Sequence, residues 1–220
     1  MAKSDLPARG HFPKVKLGKK VPKKAEALLI AAFEGDDGLE LPGTALLEGA
    51  ALRSTYEALV AVGATGKTGE VTRVPAPAKA GVASIIAVGL GDAEEVDDET
   101  LRRAAGQAAR SITKVDAVAT SLGDFGVAPV VEGLILGGYK YSGLRSESAA
   151  AATTYTVVAG KSAQEEFDNA KITAESVLIA RDLVNTPSNL LYPKTYAAFL
   201  SAQAAEAGLE VEAVSYTNLR

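Results

Sequence analysis

The sequence has no cysteine, no tryptophan and one histidine, His11. Without cysteine there can be no disulfide, no thiolate nucleophile and no Cys-ligated zinc, a usage that suits a reducing compartment. One histidine excludes a His-rich metal cluster, and a Ser-His-Asp triad would have to recruit His11 from the N-terminal stretch. Aromatic residues are scarce, with five Phe and seven Tyr in 220 residues. Alanine, valine and leucine must therefore fill the core, and helices must sit close to whatever they pack on. No apolar run approaches the roughly 18 residues of a membrane span, and the N-terminus shows no signal-peptide apolar region. The expected compartment is the cytoplasm. A formal net charge of −4 is too mild to make nucleic acid the default partner.

The charge that is present is unevenly placed. Lys14, Lys16, Lys19, Lys20, Lys23 and Lys24 cluster before the first apolar run. Such a run reads as a solvated terminus, or as an arm for a polyanion. Residues 27–32, Ala-Leu-Leu-Ile-Ala-Ala, have the continuous apolar character of a strand buried on both faces. A helix is expected over 45–60, with Leu52, Tyr56 and Leu59 on one face, and strands over 70–74 and 84–88. The next helix has Asp97, Asp98 and Glu99 at its start and Arg110 near its end, complementing the helix dipole. Its small residues, Ala104, Ala105, Gly106, Ala108 and Ala109, let it lie flat on a sheet. A strand over 115–120, a helix over 129–139 and a strand over 154–159 complete an alternating α/β pattern.

From Gly160 the pattern changes. Ser162 and Glu165 fit a capping box, and one long helix can run to about Val184. Thr186-Pro187 stops it. Pro193 opens a further helix closed by Gly208, and residues 209–214 read as a strand.

Two glycine turns have functional look-alikes. Gly63-Ala64-Thr65-Gly66-Lys67-Thr68 approaches a phosphate-binding loop, but position 61 is Ala61 and a strand, not a helix, follows. Gly89-Leu90-Gly91 follows a buried strand as a dinucleotide fingerprint does, but the third glycine is replaced by Glu94. Both read better as plain turns. The acidic stretch 92–99 lacks the spacing and turn glycine of a calcium loop. Lys140, Arg145 and Lys161 are candidate anion contacts that read better as a solvated face.

The stretch 180–193, Ala-Arg-Asp-Leu-Val-Asn-Thr-Pro-Ser-Asn-Leu-Leu-Tyr-Pro, resembles the entry to the catalytic domain of leucyl aminopeptidases, the M17 metallopeptidases. Upstream segments agree in order: Gly66-Lys67-Thr68-Gly69-Glu70, then Val88-Gly89-Leu90-Gly91 with Leu101-Arg102-Arg103-Ala104-Ala105-Gly106, then Glu132-Gly133-Leu134-Ile135-Leu136-Gly137-Gly138-Tyr139. The resemblance covers about residues 27–220. It implies an α/β fold with a macro-domain-like mixed sheet flanked by helices, a long linker helix, and the first helix and strand of a truncated second α/β domain. The corresponding boundaries are a basic tail over 1–24, an N-terminal domain over 25–160, a linker over 161–185 and the start of the catalytic domain over 186–220.

The implied activity is removal of N-terminal leucine-like residues from peptides by a homohexamer holding two divalent metals, zinc, manganese or magnesium. The family's catalytic and metal-binding segments, one with Asp-Thr-Gly-Gly and one reading Asn-Thr-Asp-Ala-Glu-Gly-Arg, do not occur in this sequence. No catalytic, metal-binding or substrate-binding residue is therefore assigned. Asn185, Pro187 and Asn189 match family positions and are expected to shape the domain junction. The segment is expected to be architectural and inactive alone. The alternative is a stand-alone macro-like module that binds a nucleotide or ADP-ribose, motivated by the two glycine turns.

Overall fold

A computed structural model describes residues 10–44, 46–78, 80–141 and 152–214. The chain divides into two compact units. The larger takes in the described residues of 12–139 and 152–177. The smaller takes in residues 10–11, 140–141 and 178–214.

The larger unit is built on a seven-stranded mixed sheet. Its strands are β1 (Lys14–Gly18), β2 (Ala27–Gly35), β3 (Gly38–Glu40), β4 (Val71–Pro75), β5 (Ser84–Gly89), β6 (Ala117–Thr120) and β7 (Thr154–Val158). The spatial order is β1-β7-β6-β2-β5-β4, with β3 paired to β2. β1, β7, β6, β2 and β5 run parallel, whereas β4 is antiparallel to β5 and β3 to β2. β2 lies near the middle and is buried along seven of its nine residues. A parallel strand covered on both faces has no polar side to show, which is why 27–32 reads as a solid apolar run.

Strand β1 falls within the stretch expected to be a basic tail. Its apolar residues explain why it is ordered. Val15 is buried and pairs with Tyr155, and Leu17 pairs with Val157. Pro13 packs against the end of a helix, where it would collide with any side chain at Gly138.

Helices α1 (Gly49–Ala61), α2 (Asp98–Ser111) and α3 (Val127–Gly137) cover the sheet. α1 lies on one face. There Leu59, with Leu52 and Ala58, packs on Leu28, Ile30 and Ala32 of β2 and on Ile85 and Ala87 of β5. The alternate residues of those strands, Leu29, Ile86 and Val88, point to the other face, where α2 and α3 lie. α2 begins as its sequence predicts, with the Asp97 carboxylate accepting from Thr100 N at 2.8 Å.

α2 and α3 approach backbone to backbone. A Cβ on Gly133 would stand 2.8 Å from the Ala105 Cβ and overlap the Arg102 carbonyl. One on Gly137 would collide with Gly106. The glycines thus do for the helix pair what missing aromatics forbid large side chains from doing. They let the two helix backbones approach where a side chain would keep them apart.

α4 (Gln164–Asn185) follows a 3-10 turn at Lys161–Ala163. The turn opens at Gly160, which has no side chain to cap with, and the helix proper begins at Gln164, one residue past Ala163. Phe167, Ala170, Ala174 and Leu178 are buried along it at spacings of three and four.

In the smaller unit α4 ends at Asn185, as the following Thr-Pro requires, and α5 spans Pro193–Glu206. Gly208, at φ +74°, ends α5. Leu209 N donates to the Ala204 carbonyl at 2.8 Å and Gly208 N to the Ala205 carbonyl at 3.2 Å, the paired bonds of a Schellman motif. Residues 209–214 do not form the expected strand. They are exposed and unpaired among the described residues, and a strand without a neighbour has no partner for its backbone groups.

Candidate functional site

In a parallel α/β sheet a ligand crevice opens at the carboxyl ends of the strands, where the strand order reverses. Here that point lies between β2 and β6, because the chain passes from β2 to β5 on one side and returns through α2 to β6 on the other. Phe33 and Phe125 meet there edge to face, ring centroids 5.6 Å apart. Ser121, just past the end of β6, is fully buried, and its hydroxyl has no partner among the described residues. Burial pushes the Asp124 carboxyl up. Ser121, Asp124 and Phe125 carry no periodic signal in the sequence. Only the register of β6 against β2 reveals that they face the switch point.

The two glycine turns sit on the same edge and are already filled. Glu70 Oε2 accepts from Thr65 N at 2.9 Å, Thr65 Oγ1 at 2.9 Å and Gly66 N at 2.8 Å. Burial works to raise the Glu70 pKa, but these hydrogen bonds outweigh it and hold the carboxyl below its ordinary value. The loop that looks like a phosphate cradle thus carries its own carboxylate.

The second turn locks onto the first. Gly91 N donates to the Gly66 carbonyl at 3.0 Å, and Gly69 N to the Gly89 carbonyl at 2.9 Å. A Cβ at Gly89 would overlap the Lys67 carbonyl, and one at Gly66 the Phe33 carbonyl. These glycines serve close backbone approach.

The acidic stretch is likewise engaged. Asp92 Oδ1 accepts from Glu94 N at 2.9 Å. Hydrogen bonds from Thr100 hold the Asp97 carboxyl below its ordinary range. Glu99 pairs with Arg102 at 2.6 Å and Arg103 at 2.7 Å, and Arg102 Nε reaches Glu132 on α3 at 2.7 Å. The segment is a helix start and a clamp between two helices.

In the smaller unit, the Asp182 carboxylate is buried and accepts from Gly10 N at 2.8 Å. Its backbone carbonyl accepts from Thr186 N at 3.0 Å and Thr186 Oγ1 at 2.7 Å. The Pro187 carbonyl accepts from Leu190 N and Leu191 N, both at 2.9 Å. Thr195 Oγ1 accepts from Tyr192 N at 3.0 Å, fixing the start of α5. These contacts shape a sharp chain turn and bring no nucleophile to a base. Lys140 exchanges backbone hydrogen bonds with His11, both at 2.8 Å. Lys161 is exposed, and Arg145 lies outside the described residues.

Among the described residues no three His, Cys, Asp or Glu side chains converge as a metal-holding group. The described residues therefore do not fit a two-metal centre. An open cleft of about 590 Å³ lies between α1 and β3, lined by Leu39, Leu41, Leu52, Arg53 and Tyr56 among others. Its polar groups are the Glu40 carboxylate, the Arg53 guanidinium and the Tyr56 phenol, set among leucines. No described helix is long and apolar enough to cross a membrane.

Residues 21–148 match the profile of the cytosol aminopeptidase family, N-terminal domain. A protein of Corynebacterium diphtheriae named "Probable cytosol aminopeptidase" is 47% identical over 216 residues, covering 96% of this chain and 43% of that protein. One of the same name from Corynebacterium glutamicum is 46% identical over 215 residues, covering 93% and 42%. Among solved structures, the bottromycin maturation enzyme BotP superposes with a TM-score of 0.68 at 25% identity, over 89% of this chain and 41% of that one. The same figures hold for BotP in complex with Mn apart from a 40% share of that chain. The chain spans about 43% of the length of the relative from C. diphtheriae.

Proposed function

Because this chain belongs to the cytosol aminopeptidase family, we propose that it is the N-terminal portion of a two-metal leucyl aminopeptidase, acting in the cytoplasm. The whole enzyme removes N-terminal leucine-like residues from peptides, as a homohexamer. This portion is architectural and inactive by itself. The observation that carries the reading is the family match over residues 21–148, joined to the Arg181-to-Asn189 turn that leads out of α4.

The metals are zinc, manganese or magnesium, and a BotP structure holding Mn supports manganese among them. A metal pair supplies a polarised carbonyl and an activated water. The described residues offer no site for it, so no step of the reaction is assigned to them. They do supply a scaffold. In the larger unit α4 buries Phe167, Ala170 and Ala174. Val184, Tyr192, Tyr196 and Leu200 are exposed large apolar side chains of the smaller unit. Such a surface favours cover by further protein, and we assign it to the remainder of the catalytic domain.

The test is an activity comparison. The 220-residue chain is assayed on leucine amide with Zn²⁺, Mn²⁺ or Mg²⁺, beside a fusion of this chain to the remaining part of the C. diphtheriae relative. The fusion is expected to hydrolyse the substrate in a metal-dependent way and the chain alone to be silent. Metal-dependent turnover by the chain alone overturns the architectural role. A correctly folded but inactive fusion counts against the peptidase reading.

A further inference from the structure

The cleft between α1 and β3 sets open apolar surface beside an uncommitted cation. Of its leucines, Leu39 is buried, whereas Leu41 and Leu52 are half-buried and pack on the edge of the core. Arg53 and Tyr56 line the same cleft. They stand three residues apart, on one face of α1, and both are exposed.

The other described arginines are engaged. Arg73 donates to the Ser84 hydroxyl, Arg102 and Arg103 to Glu99, and Arg110 to Gln107, and Arg181 also has a partner. Arg53 has neither a hydrogen bond nor an ion pair among the described residues. Glu57, four residues along α1, is spaced to pair with it, yet the guanidinium is left beside the leucines instead. The Tyr56 hydroxyl is likewise without a hydrogen bond among these residues. Glu40 lines the cleft from the β3 side. Its carboxyl lies against Gly35, where a Cβ would overlap it, and it does not pair with Arg53. The walls of the cleft thus carry one charge of each sign, not joined to each other.

We propose that this cleft binds a short apolar peptide of two or three residues, with its C-terminal carboxylate on Arg53 and Tyr56 and its branched aliphatic side chains on the leucines. A guanidinium presents a planar fork that takes both oxygens of a carboxylate, and the phenol adds a donor. Leu39, Leu41 and Leu52 reward an aliphatic side chain with buried area. The ammonium of the peptide falls on the Glu40 side, which a fatty acid would leave unanswered. In a free amino acid the two charges are adjacent, whereas a peptide sets them on separate residues, as the separate walls require. The volume, about 590 Å³, lies within the range of ordinary ligand sites. The chain's own continuation is not the occupant. α4 starts beside α3, with Glu166 on the Ala128 N–H, on the face of the sheet opposite α1. The site does not rest on the peptidase reading, since binding is read in the chain that this reading holds inactive.

The experiment is an amide NMR titration of the 220-residue chain with the dipeptide Leu-Leu, in EDTA so that no metal-dependent turnover consumes it. Saturable shifts are expected at the amides of residues 39–41 and 52–56, with a dissociation constant of about 0.1–1 mM, the scale of so small a ligand. Leucyl-leucine amide, which lacks the carboxylate, is expected to bind at least about tenfold more weakly, and Arg53→Gln to weaken Leu-Leu by as much. Tyr56→Phe should weaken it about threefold and Glu40→Gln about twofold. Arg110→Gln, outside the cleft, is expected to leave it within about twofold. Thermal melts establish that the variants fold, and the comparison of acid with amide decides the matter on the parent chain alone. Absence of saturable shifts up to about 10 mM peptide, an amide that binds as tightly as the acid, or shifts confined to other parts of the chain overturns the proposal. Free leucine binding as tightly as Leu-Leu overturns the assignment to a peptide. So does a cleft closed by self-association, seen as the same amides shifting on dilution while the peptide has no effect.

Discussion

Glu166, in the first turn of α4, accepts a hydrogen bond from the backbone N–H of Ala128 at 2.8 Å, across 38 residues of sequence. Ala128 is the second residue of α3, and the residue before that helix is Gly126, which has no side chain to cap with. α3 therefore receives its N-terminal acceptor, and a negative charge suited to its dipole, from the helix that leads out of the domain. The same contact seats the start of α4 on the larger unit.

Glu166→Ala is expected to cost about 0.5–1 kcal/mol of stability, the range of an exposed helix cap. Glu166→Gln, which keeps an acceptor oxygen and loses the charge, should recover part of it. Urea melts measure both. Hydrogen exchange at the Ala128 amide should quicken in the alanine variant; an unchanged rate would show that the bond adds nothing in solution.

The glycines of the α2–α3 contact should separate from glycines needed only for backbone conformation. Gly133→Ala drives a methyl into the Arg102 carbonyl and the Ala105 methyl, at an expected cost of about 1–3 kcal/mol or more. Gly63 has φ +82° and open space around it, so Gly63→Ala should cost about 1–2 kcal/mol through strain alone. Asparagine tolerates the left-handed region. Gly63→Asn should therefore be milder than Gly63→Ala, whereas Gly133→Asn should be worse than Gly133→Ala. Equal responses at the two sites would contradict the packing account.

Glu70 should link stability to pH. Its folded pKa lies below its ordinary value. Its contribution is then complete above the unfolded glutamate pKa, roughly 4.3, and is lost as pH falls through the folded value. Glu70→Gln is expected to lose about 0.5–1 kcal/mol at neutral pH, discounted for exposure. The gap between variant and parent should narrow on acidification toward pH 3 (roughly one unit below the unfolded value). Melts at the two pH values decide it, and a gap independent of pH would remove the carboxylate from the account.

Arg102 is the hinge of a three-residue clamp. Its hydrogen bond to Glu132 on α3 raises its pKa, joined by the one to Glu99. A double-mutant cycle of Arg102→Ala and Glu132→Ala should give a coupling of about 0.5–1 kcal/mol, since the guanidinium is one-third exposed. Arg102→Lys should lose most of that coupling, because an ammonium cannot serve two carboxylates as a planar fork does. Coupling near zero would reduce the clamp to a surface ion pair.

The sequence by itself determined the alternation of strands and helices, the burial of 27–32 on both faces, the acidic start of α2 and the stops at Pro187 and Gly208. All are local effects: apolar periodicity, orphan backbone groups and the φ limits of proline and glycine act within a few residues. It also showed, through motif order, the family.

Tertiary structure alone decided the rest. Val15 and Leu17 are too few to announce a strand, and β1 exists because β7 supplies the partner edge. Residues 209–214 have the composition of a strand and no described partner, so they are not one. Glu70 read as the first residue of a strand and proves to be the anion held inside the preceding turn. Ser121, Asp124 and Phe125 meet the switch point only through the register of β6 on β2. Each of these depends on groups distant in sequence becoming neighbours, which local propensity does not encode.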